Sequence, residues 1–398
     1  MSLNSSSPLS CNRNDPIIIW ARYFYPGYKA GGPIISLSNL CSLLAGNSNV
    51  YVITQARDSG DTSIFPGIIP DSLNYTPIAP TIYIASLVGL IRSLALIATS
   101  RNSTFYLNSV FSFPFSILPL LLARLRLFPV RRVILCPRGE LFKPALQGSL
   151  FRKRLYLKIA QFLDLHRGIH WHATSAQEAE HIHTVFRTTP GSVSVIRNIP
   201  SYIPADLSIA KGKQAFRTSS SRLVFASRIL PHKNLLIVLE ALSFISSPVV
   251  FDIYGPIEDQ AYYQRCLDVS NRLPSNIIAA FHGAFLPQHI KAIFTEATLL
   301  VHPSLSENYC HTIIQALAYY TPTVIGTNTP WSHSSSDAIT TCNPLDSREW
   351  SDSIQKIIGL SEYKYFSMTC KARSFYDSHI LSLSSQQRDY LSMLLLDN

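Results

Sequence analysis

Arg228 and Lys233 stand five residues apart, directly after an apolar, β-branched run, Arg222–Ser227, and before a helical run that reaches Leu242. At a strand-to-helix turn, two cations so spaced can clamp a diphosphate and neutralise it as it leaves. Surface cations share that spacing, so the pair carries weight only with a neighbour of matching chemistry. Such a neighbour is the stretch Val301 to Leu317 (VHPSLSENYCHTIIQAL). A strand ends there at Ser304 and a helix begins near Cys310. The free N–H groups and positive dipole end of that helix suit a phosphate or a developing anion. Glu307 precedes the helix and can accept from hydroxyls, and Gln315 lies one turn beyond His311 on the same face. An acid before a helix is also a common dipole partner, and that reading stays open at this point.

These residues need a scaffold, and the apolar pattern supplies one. Short runs at Ile17–Trp20, Val50–Ile53, Thr104–Asn108, Arg132–Pro137, Gly168–Ser175 and Ser192–Asn198 alternate with helical stretches. This is the signature of a parallel sheet covered on both faces. The pattern restarts with Arg222–Ser227, Val249–Gly255, Ile277–Gly283, Thr298–Ser304, Pro322–Gly326 and Ala338–Cys342. At 398 residues the chain exceeds one ordinary core, which stops growing near ~250–300 residues. The expected organisation is a disordered polar tail over 1–15, an N-terminal Rossmann-like domain over 16–205, and a linker over 206–221. A C-terminal Rossmann-like domain over 222–375 and a C-terminal helix over 376–398, packing back on the first domain, complete it. The fold class is α/β, two doubly wound domains facing a cleft, with ligands at the carboxyl ends of the strands.

The net charge of +10 favours an anionic partner: nucleotide phosphates, nucleic acid or an acidic membrane. Arg124, Arg126, Arg131, Arg132, Arg152, Lys153, Arg154 and Lys158 are interleaved with Leu, Phe and Tyr, a mixture that suits an interfacial patch. Solvated helix ends would look similar. Ile82 to Ser100 carries Arg92, and Ser109 to Leu127 carries Pro114, Pro119, Arg124 and Arg126, so neither offers roughly 20 uninterrupted apolar residues. Both read as buried helices. Seven cysteines with no CxxC pair read as free thiols in a reducing compartment. The H-x-H pairs His170/His172 and His181/His183 lack further zinc ligands at a useful distance and read as structural. No G-x-G-x-x-G follows the first strand of either half, and no D-x-D clamp is present. No cofactor and no essential metal are therefore expected.

With those segments in view, the chain resembles the family-4 retaining glycosyltransferases, and in particular bacterial members that build surface polysaccharide. The Arg228 and Lys233 pair and the Glu307 stretch resemble their donor site. Tyr25 to Leu40 (YPGYKAGGPIISLSNL), Thr54 to Asp61 (TQARDSGD), Cys136 to Leu146 (CPRGELFKPAL), His172 to Ile182 (HATSAQEAEHI) and Thr329-Pro330-Trp331 resemble further segments. The likeness runs over about residues 17 to 375, in order and in spacing. It implies a GT-B fold and transfer, with retention, of a sugar from a nucleotide diphosphate sugar to a polysaccharide or lipid-linked acceptor. Arg228, Lys233 and Glu307 would be the catalytic set, the cations on the diphosphate and Glu307 on the donor sugar. Gly31 and Gly32 would approach the phosphates from the first domain. Asn308, Tyr309, Cys310, His311 and Gln315 would complete the donor site, with Gln315 at the ribose. Arg138 and Glu140 mark a candidate acceptor or cleft region. The implied partners are a nucleotide sugar, a lipid-linked or saccharide acceptor and an anionic membrane, with no nucleic acid, and the implied location is the cytoplasmic face of a membrane.

The chain departs from that family at several positions. Gln315 stands for an acid, Cys310 and Ser227 for glycines, Tyr319 and Tyr320 for small residues, and Arg138 for a frequent His. Two other readings stay open: a nucleotide-sugar epimerase of the same architecture, and, motivated by the changes at 310, 315 and 319–320, an inactive sugar-nucleotide-binding partner in polysaccharide assembly.

Overall fold

The computed structural model describes residues 15–45, 48–98, 102–142, 150–186, 188–216 and 221–395. The polar tail, apart from Asp15, lies outside them, as do 143–146 of the segment beginning at Cys136 and 217–220 of the expected linker. The chain forms two compact units. One comprises residues 1–27, 37–197 and 385–398, the other 28–36 and 198–384.

The first unit holds β1 (Ile17–Trp20), β2 (Val50–Gln55), β3 (Leu73–Tyr75), β4 (Pro80–Ile84), β5 (Ser103–Leu107), β6 (Val130–Leu135), β7 (His170–Ala173) and β8 (Val193–Val195). They form one sheet in the order β3-β4-β2-β1-β5-β6-β7-β8, parallel except for the β3–β4 pair. Strand β1, IIIW, is buried throughout, as an inner strand covered on both faces must be. Trp20, Phe105, Leu107, Leu135 and Trp171 meet in its core.

Two expectations change here. The apolar stretch Ile82 to Ser100 is not one buried helix. Pro80–Ile84 pairs with β2 as a strand, and the helix Leu87–Ala98 that follows leaves Leu87, Val88 and Ile91 exposed. The region 109–127 holds a π-turn, Phe113–Ile117, and a short helix, Leu118–Arg124, with Phe113, Leu125 and Leu127 exposed. No helix among the described residues is long and apolar enough to cross a membrane.

The second unit holds β9 (Ser221–Ala226), β10 (Val249–Tyr254), β11 (Ile277–Gly283), β12 (Leu299–His302), β13 (Thr323–Gly326) and β14 (Ile339–Cys342). All pair in parallel in the order β11-β10-β9-β12-β13-β14, the doubly wound arrangement in which strand order reverses beside the first strand. Each strand lies within two residues of its sequence-based span. Leu223, Phe225, Phe251, Val301 and Ile314 sit in the core they enclose.

The stretch expected as linker is mostly structured. Leu207–Phe216 is a helix of the second unit, packed through Ile209 and Ala210 against Tyr320. Buried Lys213 donates from Nζ to Phe294 O at 2.6 Å and to Thr321 Oγ1 at 3.0 Å, and also to Ala297 O. The short apolar period and a lysine in the middle concealed this helix in the sequence. It also accounts for one departure, since the Tyr320 ring covers Ile209 and Ala210. The division between units falls at Arg197/Asn198. The C-terminal helix is Glu362–Leu395, beginning well before residue 376; its residues up to 384 belong to the second unit and the rest to the first.

Candidate functional site

In the second unit, strand order reverses between β9 and β12, and both strands end in the loops singled out from the sequence. After β9 the chain passes Arg228, makes a single 3₁₀ turn, Pro231–Lys233, and enters the helix Leu235–Leu242 through Asn234 in the left-handed region, φ 57°. Asn tolerates that conformation better than most residues, and its Nδ2 donates to Pro344 O at 2.7 Å. Gly255 is required beside this turn, because a Cβ there would lie 1.8 Å from Ser227 O.

The loop after β12 is stitched to the loop after β9. Leu305 N donates to His232 O at 2.9 Å and Ser304 Oγ to the same oxygen at 3.2 Å. That register brings Lys233 Nζ to 2.5 Å from Glu307 Oε1, each side chain about 10% exposed. His302, at the end of β12, places Nε2 2.7 Å from the same oxygen and 3.2 Å from Cys310 Sγ. Burial alone would raise the Glu307 pKa, but Lys233 and His302 hold the carboxyl well below the usual range. Burial alone would lower His302, but Cys310 and Glu307 push it up to about 9. His232 is driven down to about 4 by burial and by Lys233 and Arg228. At neutral pH Glu307 is therefore a carboxylate between two cationic groups, with one oxygen bonded to both.

Arg228 stands apart from this cluster. Its Nη1 lies 3.1 Å from both Glu258 oxygens, and both side chains are about one-third exposed. The guanidinium is thus positioned by a partly solvated acid that an incoming anion can displace.

Asn308 and Tyr309 carry the chain from Glu307 to the helix His311–Ala318. Tyr309 is buried; its hydroxyl meets His379 Nε2 at 3.0 Å, its carbonyl accepts from Trp331 Nε1, and its ring packs edge-on against Trp331. This explains the Thr329-Pro330-Trp331 segment: the indole braces the loop that bears Glu307. Cys310 takes φ 65°, a left-handed conformation that favours glycine. Thr312 Oγ1 ties the first turn of the helix to Ala226 O at 3.3 Å. Gln315 is half-buried one turn further on.

Gly31 and Gly32 belong to the second unit, through the segment 28–36, and not to the first as expected. Gly31 has φ 76°, a Cβ at Gly32 would sit 3.4 Å from His311 Cδ2, and buried Ser36 Oγ lies 2.7 Å from His311 Nε2. The physical reason is this His311 contact, which fixes the glycine turn against the start of the helix.

Arg138 and Glu140 lie in the first unit. Arg138, at φ 53°, donates to Asn108 Oδ1 and to Tyr106 Oη, each at 3.1 Å. Glu140 accepts from Ser109 Oγ at 2.9 Å and Val110 N at 2.6 Å, so its carboxylate is occupied in shaping the 109–112 turn. His170 and His172 are structural: Nε2 of His170 meets Ser194 Oγ at 2.8 Å, and His172 bridges Tyr106 Oη and Ile196 O.

Sequence reasoning gave no role to His302, Glu258 or Ser36. His302 carries a legible signal, a histidine on the last position of a buried strand before Pro303. Glu258 and Ser36 carry none, because their partners are 30 and 275 residues away.

Residues 208–365 match the model of the glycosyl transferases group 1. A search of the curated proteins gave no match. Among solved structures, sucrose-phosphate synthase from Thermosynechococcus elongatus is similar at 16% identity, with a TM-score of 0.71, over 95% of this chain and 100% of that one. HepE of Anabaena, solved in complex with UDP and glucose, is similar at 15% identity and a TM-score of 0.67, over 96% and 100%. WaaG, a glycosyltransferase involved in lipopolysaccharide biosynthesis, is similar at 13% identity and a TM-score of 0.65, over 95% and 99%. The fold is that of the GT-B glycosyltransferases. The Arg228, Lys233 and Glu307 loops lie at the strand-order reversal of the C-terminal GT-B unit and inside the matched segment.

Proposed function

We propose that this protein is a glycosyltransferase that takes a sugar from a nucleotide diphosphate sugar and passes it, with retention, to a polysaccharide or lipid-linked acceptor. The observation that carries the reading is the Lys233–Glu307 pair at the strand-order reversal, with Arg228 on the same loop as Lys233. The match to the glycosyl transferases group 1 and the UDP-bound HepE neighbour support it. Arg228 leaves Glu258 for the donor diphosphate, and Lys233 spans the diphosphate and Glu307. Glu307, ionised, accepts from hydroxyls of the donor sugar, while Gln315 meets the ribose and the turn at Gly31 and Gly32 meets the phosphates. The anomeric C–O bond breaks through an oxocarbenium-like transition state. The nucleoside diphosphate leaves with the bonding pair, the acceptor oxygen bonds the anomeric carbon on the same face, and its proton passes to a leaving phosphate oxygen. The cations stabilise the charge that develops there.

Peripheral attachment to the inner face of a membrane belongs to the same reading, and the helix Leu150–Phe162 supports it. Phe151, Leu155, Ile159 and Phe162 form one exposed apolar stripe, with the two phenylalanines 79% and 87% exposed, and exposed Arg152, Arg154 and Lys158 flank it. An apolar stripe between cations fits an anionic lipid surface. Incubating purified protein with a panel of nucleotide sugars, with and without saccharide acceptor, tests the function. Acceptor-dependent release of nucleoside diphosphate is expected. Conversion of the donor sugar without acceptor would make the protein an epimerase instead.

A further inference from the structure

We propose that His302, Glu307 and Cys310 form a binding site for a thiophilic divalent cation, zinc above all, that competes with Lys233 for Glu307. One ligand atom from each residue lies within 4.8 Å of the others. His302 Nε2 is 2.7 Å from Glu307 Oε1 and 3.2 Å from Cys310 Sγ. A tetrahedral zinc with bonds of ~2.0–2.3 Å holds its ligands roughly 3.3–3.6 Å apart, so His302 Nε2 needs to draw away from Glu307 Oε1 and Cys310 Sγ by less than about 1 Å each. His302 is buried at the end of β12, while Glu307 and Cys310 are mostly buried but reach solvent, which gives the ion a rigid inner ligand and a narrow entry. Three protein ligands leave a fourth position for water.

The donor set selects the metal. A thiolate, an imidazole and a single carboxylate favour zinc over magnesium or calcium, which prefer oxygen ligands. Cys310 is decisive, because its thiolate is the ligand that sets this group apart from a plain His–carboxylate pair. The left-handed conformation of Cys310 accompanies the placement of Sγ beside His302. On binding, the Cys310 thiol and the His302 imidazolium each release a proton to solvent, which frees the Nε2 lone pair for the metal, and Glu307 turns from Lys233 to the metal. The ion is an inhibitor of the donor site and is not required for turnover. Its effect on turnover rests on the donor role proposed for Glu307; its binding does not.

Titrating the reduced, chelator-treated full chain with cobalt(II) tests the site. Expected is one equivalent bound, with visible bands of tetrahedral cobalt and a thiolate-to-cobalt charge-transfer band, both removed by zinc. Cys310→Ser should lose the charge-transfer band and weaken cobalt binding more than about tenfold, whereas Cys370→Ser should keep both. His302→Gln, checked for folding by circular dichroism, should also weaken binding. Absence of a charge-transfer band in the wild type, or its survival in Cys310→Ser, overturns the site. Tight cobalt binding that leaves nucleotide-sugar turnover unchanged upholds the site and contradicts the donor role of Glu307.

Discussion

Lys233 Nζ and His302 Nε2 converge on the same oxygen of Glu307, at 2.5 and 2.7 Å. Removing Lys233 leaves the buried Glu307 carboxylate with His302 as its remaining cationic partner, and breaking a buried pair costs more than the pair contributes. Lys233→Ala should therefore lower both stability and turnover, with kcat/KM falling on the order of 100-fold or more. The double variant Lys233→Met/Glu307→Gln separates the two effects. Its thermal midpoint should recover toward wild type while turnover stays lost, as checked by thermal unfolding beside a transfer assay.

Arg228 predicts a different pattern. It is partly solvated and paired with Glu258 at 3.1 Å, so its loss leaves no buried charge. Arg228→Ala should keep the free energy of unfolding within about 0.5 kcal/mol of wild type yet reduce kcat/KM on the order of 100-fold. Steady-state kinetics over a range of donor concentrations checks this.

Gln315 offers one acceptor oxygen and one donor nitrogen where a carboxylate accepts from both ribose hydroxyls. Hydrogen bonds to charged groups are worth ~1.5–3 kcal/mol against ~0.5–1.5 for neutral ones, so Gln315→Glu should tighten donor affinity about tenfold and hardly change kcat. Poorer nucleotide affinity in the variant, measured by calorimetry, contradicts the ribose contact.

Acid should weaken the first unit. Burial lowers His166 to about 4, burial with Arg132 lowers His170 to about 4, and burial with Arg138 lowers His172 to about 3. Their folded values lie below the unfolded one of about 6.5, so the unfolded chain takes up protons first. The stability of the neutral forms is fully present above about pH 6.5 and is lost as pH falls toward 4. Each histidine contributes a slope of up to about 1.4 kcal/mol per pH unit in that window. The urea midpoint followed by tryptophan fluorescence should drop between pH 7 and 5.

The apolar helix stripe predicts vesicle binding. Phe151→Ser with Phe162→Ser, or reversal of Arg152, Arg154 and Lys158 to Glu, should release the protein from phosphatidylserine vesicles while donor hydrolysis persists. Sedimentation with vesicles distinguishes the outcomes, and equal binding by all three proteins contradicts the patch.

The second unit was more legible in the sequence than the first, for a physical reason. Its strands are short apolar runs bounded by turn residues, so their positions follow from composition alone. In the first unit the strand Pro80–Ile84 abuts the apolar helix Leu87–Ala98, and one continuous run of apolar residues hid the break between them. The helix Leu207–Phe216 was hidden because Lys213 is buried by three acceptors that come from residues 294–321. At the site, Arg228, Lys233, Glu307 and the helix after Cys310 are local features and could be read. The Ser36–His311 and Lys213–Thr321 bonds are tertiary and could not.

Calorimetric titration of nucleoside diphosphates into the wild type, Arg228→Ala and Lys233→Ala tests the donor site most directly. At least one nucleoside diphosphate should bind the wild type and lose tenfold or more in affinity, about 1.4 kcal/mol, in each variant. Undiminished affinity in both variants, or no binding to the wild type, would contradict the assignment of Arg228 and Lys233 to the diphosphate.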